Sequence, residues 1–355
     1  MDSTNHRRDL AIWGYAFGYF ACYAPYSALT KALSRGALDG MTRGISGFEL
    51  LPWSTLASGV GMFLFITARG WWSHASSRTV LGVRVPVPGA WTFLSGLCSA
   101  AIIATTTLAY TFSGTSIVFM MLLMRGGVLI LAPLVDLLGR RRVAWPSWVA
   151  LGLSFAAVAV ATGPGVDVRV SATACVDLGI YLLGYFIRLR FMSHLAKADD
   201  PSASIRYFVE EQMVATPALI TVLVLAALVG EGPVLSDIRH GFTDVLVRGR
   251  VLDELLVGVL SQGTGVFGGL ILLDHRENSF CVPVNRASSL VAGVVATVML
   301  SVLLGLPGAG KREMLGAALV VGAMLVLGLP TVLKARRAAK RAAVPREAGT
   351  GAPGR

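Results

Sequence analysis

Two arginines, Arg125 and Arg286, stand deep inside long apolar stretches of a 355-residue chain. Arg125 lies about eleven residues into the run 114–138 and Arg286 about eight into the run 278–304. At 1.5 Å per residue these are depths of roughly 16 and 12 Å along a helix. A bilayer core is about 30 Å thick, so both guanidiniums fall near its middle if the two runs cross it. An arginine there costs at least about 2.5 kcal/mol on insertion scales. A carboxylate partner, a water-filled cavity or an anionic ligand would relieve that cost. The planar guanidinium suits the last, because it binds carboxylate or phosphate through two parallel hydrogen bonds and stays charged.

The acids within reach lie toward the ends of the apolar runs: Glu49, Glu210, Glu211, Asp253 and Glu254. Arg125 and Arg286 are therefore expected to face a shared central cavity and to hold a negatively charged small molecule. Asn285, Gln212, Gln262, Tyr19 and Tyr185 are the polar groups on neighbouring runs expected to complete its lining. For Tyr19 and Tyr185, packing between helices is an equal reading. For Gln262, beside Gly263 and Gly265, an interhelical hydrogen bond is the equal alternative. Glu49 and Glu211 are the candidates for a proton-titrating group. His6, His74, His194, His240 and His275 all lie at or beyond the ends of the runs, and Cys22, Cys98, Cys175 and Cys281 occur singly. No catalytic group, cofactor or metal site is expected from such a distribution. The chain shows no glycine loop of the kind that cradles nucleotide phosphates, which argues against an ATP-driven pump.

The elements that would position these residues follow from composition. The chain is 54% hydrophobic and only 14% charged, with a mean hydropathy of +0.67. Soluble domains carry about 25% charged residues, so a water-facing surface cannot be covered. Forty glycines suit close packing of helices in lipid. The expected fold is an all-α integral membrane protein with ten transmembrane helices, near 9–31, 48–68, 89–110, 114–138, 146–163, 172–192, 206–229, 251–273, 278–304 and 312–333. The short connections Thr111–Ser113 and Asp274–Glu277 read as tight hairpins. In the loop 230–250, Leu235, Ile238, Phe242 and Val245 recur at helical spacing and predict a short amphipathic helix on the outer surface.

The net charge of +11 is placed for a membrane and not for nucleic acid. With the N-terminus inside, twenty Lys and Arg residues fall on the inner segments and nine on the outer ones. That asymmetry puts both termini in the cytoplasm, in the bacterial inner membrane. The tail 334–355, rich in Ala, Gly and basic residues, reads as a disordered anchor to anionic lipid. A second copy of the chain is a candidate partner, alongside the bilayer and a small-molecule substrate.

The chain also repeats itself. Phe17–Lys31 (FGYFACYAPYSALTK) aligns without a gap on Leu183–Lys197 (LGYFIRLRFMSHLAK), with six of fifteen positions identical. One segment belongs to the first span and the other to the sixth. Five spans is an odd number, so a second copy enters from the opposite side: a 5+5 inverted repeat, 1–165 and 166–333, as in transporters whose substrate site lies where the halves meet. Arg125 and Arg286 then occupy equivalent helices.

With these residues in view, Thr115–Val143 (TSIVFMMLLMRGGVLILAPLVDLLGRRRV) and the span that follows resemble the fourth and fifth spans of the drug/metabolite transporter superfamily (EamA-like). Asn278–Leu329 resembles the ninth and tenth. The likeness runs from about residue 10 to 333. Within the superfamily, the nucleotide-sugar and triose-phosphate translocators are the closer match: they carry basic residues on their fourth and ninth spans to hold phosphate, and Val282–Ser288 is similar to their short Asn–Lys stretch, with Arg286 in place of Lys. The resemblance implies a secondary transporter, not an enzyme, that moves a small organic anion such as a phosphate-bearing metabolite or nucleotide sugar by alternating access. A proton-coupled exporter of amino acids or other small metabolites on the same fold is the alternative. A protein handling phospholipid head groups stands third.

Overall fold

The protein is described by a computed structural model covering residues 3–80, 82–112, 116–138, 145–162, 171–195, 202–244, 247–272 and 278–342. At 3–11, 80, 83, 132–138, 147, 161–162, 193–194, 278–283 and 327–342 the description is of backbone alone. Among the described residues the chain is almost entirely helical, with eleven α-helices and one two-stranded hairpin.

Each apolar stretch becomes a helix. They are α1 (Ser3–Arg35), α2 (Gly47–Ala68), α3 (Ala90–Ala109), α4 (Ile117–Leu138), α5 (Trp145–Thr162), α6 (Ala172–Leu195), α7 (Ala203–Val229), α9 (Val251–Leu272), α10 (Asn278–Leu304) and α11 (Lys311–Ala342). Six of them, α2, α3, α6, α7, α9 and α10, are long and apolar enough to cross a membrane. Their outward side chains agree with that use: Leu64 is 65% exposed, Leu228 72% and Val302 76%, where a water-soluble protein would show charge.

The starts and stops have local causes. α2 begins at a capping box, in which the Ser46 hydroxyl accepts from the backbone and Glu49 returns a bond to the Ser46 N–H; such caps contribute about 1 kcal/mol. α7 ends at Gly230, whose left-handed backbone closes the last turn. Two residues later Gly232, also at positive φ, and Pro233 open α8 (Pro233–Thr243). The helix expected around Leu235 to Phe242 is thus present. It lies against α2 and α7, and Leu235, Ile238 and Phe242 close over Leu51, Leu219 and Leu223. Val245 falls outside the described residues.

Two features depart from the sequence reading. The segment between α2 and α3 contains an antiparallel hairpin, β1 (Ser77–Val80) and β2 (Val83–Pro86), which four-residue strands announce too weakly to predict. α11 runs on past Lys334 to Ala342, because Ala, Lys and Arg are good helix formers and basic groups favour a helix C-terminus; residues 343–355 of the expected tail are outside the description. Of the expected hairpin connections, Thr111 and Phe112 follow the end of α3, while Ser113 and 274–277 are outside the description too.

Helix contacts come in related sets. α1 packs on α9 and α10, and α6 packs on α3 and α4. α2 packs on α9, and α7 on α3; α4 meets α5, and α10 meets α11. α4 and α10 also touch each other, as do α5 and α11, and α2 and α7. The core sits between them: Ile117–Leu122 of α4 are at most 2% exposed and join Tyr23, Tyr26, Tyr181 and Leu290 in one apolar cluster.

Candidate functional site: a tyrosine-lined cavity at two buried arginines

α4 and α10 bring Arg125 and Arg286 into the interior, at 3% and 2% exposure. The neighbours that meet them are tyrosines. On α1, Tyr19, Tyr23 and Tyr26 are spaced by four and three residues. On α6, Tyr181 and Tyr185 are spaced by four. Each set therefore lines one helix face. Arg125 donates from one terminal nitrogen to the Tyr181 hydroxyl and from the other to the Tyr23 hydroxyl. Its guanidinium carbon is 5.5 Å from the centre of the Tyr23 ring and 5.8 Å from that of Tyr181. Arg286 donates to the Tyr185 hydroxyl at 3.3 Å and lies 4.4 Å from its ring centre.

These partners are phenol side chains, not carboxylates. Phenol oxygens and ring faces solvate a cation but do not cancel its charge. Among the described residues no carboxylate pairs with either arginine, and the buried Nε of each has no acceptor. A buried charge is ordinarily paired, so the centre holds two positive charges and two unused donors.

Beside them lies a cavity of about 140 Å³. Six of the seven residues expected at the substrate site line it: Arg125, Tyr19, Tyr185, Gln212, Gln262 and Asn285. Arg286 is the exception; it stands behind Tyr185 and touches the cavity through that ring. Gln262 accepts from Ser58 at 3.3 Å, and Asn285 donates to the Gly268 carbonyl at 3.5 Å. Gly268 is required where it is, because a Cβ there would come within 2.9 Å of the Tyr19 ring. Toward the C-terminal end of α1 the cavity is closed by hydrogen bonds from α1 to the end of α3: Tyr23 to Tyr110 at 2.5 Å and Tyr26 to Thr107 at 2.7 Å. Lys31 extends the line, donating to the Phe112 carbonyl at 2.9 Å.

Arg188 is the cation that sequence reasoning assigned to the inner segments and that the structure moves into the site. It lines the cavity with a side chain 17% exposed, and it holds Glu211 through two contacts of 2.8 Å. Glu211, fully buried, also accepts from Ser95 at 2.8 Å, Ser99 at 3.0 Å and Tyr207 at 3.2 Å. The missed signal was spacing: Tyr181, Tyr185 and Arg188 follow at four and three residues, one face of α6. Glu210, one residue away and turned by a helical step, accepts from the backbone of Ser76 and Gly89 and from the Thr92 hydroxyl. It fastens the hairpin segment to α7 and α3.

Glu49 is placed apart from the cavity, at the start of α2, where it completes the capping box and binds Arg43 at 2.9 Å and Arg248 at 3.2 Å. The bond and charge of Glu49 raise the pKa of Arg43, in the preceding loop, above its ordinary value. The two acids expected to titrate are therefore both engaged with arginine.

No established family profile and no curated protein matches the sequence. A solved structure titled "Crystal structure of protein" aligns with 92% of this chain and 98% of its own, at 15% identity and a TM-score of 0.49.

Proposed function

We propose that the chain is a secondary transporter of the drug/metabolite superfamily that carries a small organic anion by alternating access. The observation that carries the reading is the pair Arg125 and Arg286, buried beside a polar cavity with no carboxylate among the described residues to neutralise them. A dianion, a phosphate monoester first among them, supplies the missing charge. It finds further donors in Gln212, Gln262 and Asn285. The cavity of about 140 Å³ is smaller than the roughly 300–1,000 Å³ of sites for drug-sized ligands. That size favours a small phosphorylated metabolite over a nucleotide sugar in this conformation.

The helix contacts support an inverted repeat of five helices. Exchanging α1 with α6, α2 with α7, α3 with α9, α4 with α10 and α5 with α11 turns α1–α9 into α6–α3, α2–α9 into α7–α3, and α4–α5 into α10–α11, each of which is formed. On this reading the ten long helices all cross the membrane, both termini are cytoplasmic, and Arg125 and Arg286 meet at the repeat axis through α4 and α10. Rocking of one half against the other would open the cavity alternately. An empty carrier holds two uncompensated cations while an occupied one does not. Occupancy therefore favours the change of face, and exchange outpaces uniport.

Thermal stabilisation in detergent tests the reading against sugar phosphates, nucleoside monophosphates, nucleotide sugars and neutral amino acids. A ligand of the folded state supplied at about a hundred times its Kd adds about 2.7 kcal/mol. A sugar phosphate is expected to stabilise wild type and neither Arg125→Gln nor Arg286→Gln. Equal stabilisation of all three proteins by amino acids, with none by phosphates, would make the arginines structural.

A further inference from the structure

Asp177 is the buried acid that the cavity and its ion pairs leave unused. It is 4% exposed, and neither carboxyl oxygen has a hydrogen-bond partner. The pattern of α6 puts it inside: Val176, Ile180 and Leu183 are exposed, while Ala174, Asp177, Tyr181 and Tyr185 turn inward.

The groups on the elements packed against α6 can be named. α3 carries no charged residue, and its one titratable side chain is Cys98, on the turn that meets Gly184 farther along α6. α4 carries Arg125, taken up by Tyr181 and Tyr23, and Asp136, whose side chain is outside the description. α7 meets the opposite end of α6 with Arg206, Tyr207, Glu210 and Glu211, the last bound to Arg188. On α6 itself the further titratable groups are Cys175, which is exposed, Tyr181, Tyr185, Arg188 and Arg190, with His194 outside the described side chains. Among the described residues no cation contacts Asp177. Among the described residues Glu254, the other acid with bare oxygens, has Arg248 at 3.5 Å, and Asp177 has no such neighbour. An ionised carboxylate in this place would find neither a counter-charge nor a donor among the described residues, whereas a neutral acid costs far less to bury.

We propose that Asp177 is a proton-binding site, holding a neutral carboxylic acid in this conformation and releasing its proton to water when α6 separates from α3 and α4. Tyr181, one turn away, holds Arg125, so the helix face that carries the proton site also carries a wall of the anion site. Proton release on ligand binding rests on the transport reading; the protonated acid itself does not. The step needs only water as the proton's source and acceptor.

Infrared difference spectroscopy of the purified protein at neutral pH tests it. The carbonyl stretch of a protonated carboxyl is expected in wild type, lost in Asp177→Asn and retained in Glu254→Gln. Survival of the band in Asp177→Asn, or its absence from wild type, overturns the proposal. Should Asp177→Asn fail to fold, wild type labelled with ¹³C at its aspartate carboxyls decides: the band must shift with the label, and an unshifted band refutes the assignment. Addition of glucose 6-phosphate in weak buffer is then expected to release about one proton per protein from wild type and none from Asp177→Asn. Binding without any proton release would overturn the coupling. A band lost in Asp177→Asn with no phosphate binding at all would keep the proton site and remove the anion-transport reading.

Discussion

Two groups of arginines in this protein are built from the same side chain and treated in opposite ways. Where α2 and α9 begin, Arg43 and Arg248 meet Glu49 at 2.9 and 3.2 Å, Arg248 reaches Glu254 at 3.5 Å, and Arg250 meets Asp253 at 3.1 Å. At the centre, Arg125 and Arg286 meet only tyrosines among the described residues. The first group is matched charge for charge and ties helix ends together. The second is more deeply buried and unmatched, the reverse of what stability alone would select. On the proposed reading, the central charge is kept for an anion that arrives from outside the chain. Arg188 stands between the extremes, lining the cavity yet held by Glu211.

Breaking a matched pair should cost most. Glu211→Ala strands Arg188 and leaves Ser95, Ser99 and Tyr207 without their acceptor. A loss of about 3–5 kcal/mol is expected, visible as a large fall in the melting temperature in detergent. Removing an unmatched charge should behave differently. Arg125→Gln is expected to leave the ligand-free melting temperature unchanged or higher. The same substitution should abolish the roughly 2.7 kcal/mol of stabilisation that a sugar phosphate gives wild type at a hundred times its Kd. A ligand-free protein destabilised as much as Glu211→Ala would erase the contrast.

Tyr181→Phe takes away one neutral acceptor from Arg125; a hydrogen bond to a charged group contributes about 1.5–3 kcal/mol. Because the ligand can replace that acceptor, the loss should shrink when sugar phosphate is bound, a result that melting curves with and without ligand would show. Glu49→Gln keeps the capping geometry and removes a charge shared by Arg43, 60% exposed, and Arg248, which keeps Glu254 at 3.5 Å. It should cost about 1 kcal/mol or less and leave ligand stabilisation intact. The smallest effect is expected at Asp244, beyond α8, which hydrogen bonds from Thr243 and His240 hold below the usual carboxylate range. A lowered carboxylate stabilises above its ordinary pKa and loses that contribution on acidification. The side chain is open to solvent, so Asp244→Asn should not move the melting temperature measurably at neutral pH.

Much of the fold was legible because lipid-facing helices are written locally. The apolar stretches from 48–68 to 278–304 became helices within a few residues of their expected ends, and Leu235, Ile238 and Phe242 announced α8 by spacing alone. Arg125 and Arg286 were legible because a charge in an apolar run is costly wherever its partners are. Their surroundings were not. Tyr23 and Tyr181 reach Arg125 from helices 102 and 56 residues away in sequence, and nothing local distinguishes them from packing tyrosines. Arg188 was misplaced because it lies near the end of its apolar run, where arginines usually reach water; only its register with Tyr181 and Tyr185 marks it as inward. Asp177 escaped for the same reason at the other end of α6. The β1–β2 hairpin was missed because strands of four residues leave too little alternation to separate from a loop.

The central claim is that an anion completes the charge of Arg125 and Arg286, and exchange transport tests it most directly. Proteoliposomes loaded with glucose 6-phosphate should take up the labelled compound faster than empty ones when they carry wild-type protein. With Arg125→Gln or Arg286→Gln folded to the same melting temperature, the acceleration should vanish. Equal acceleration by wild type and both variants would contradict the account, because the anion would then be recognised without the two charges that define the site.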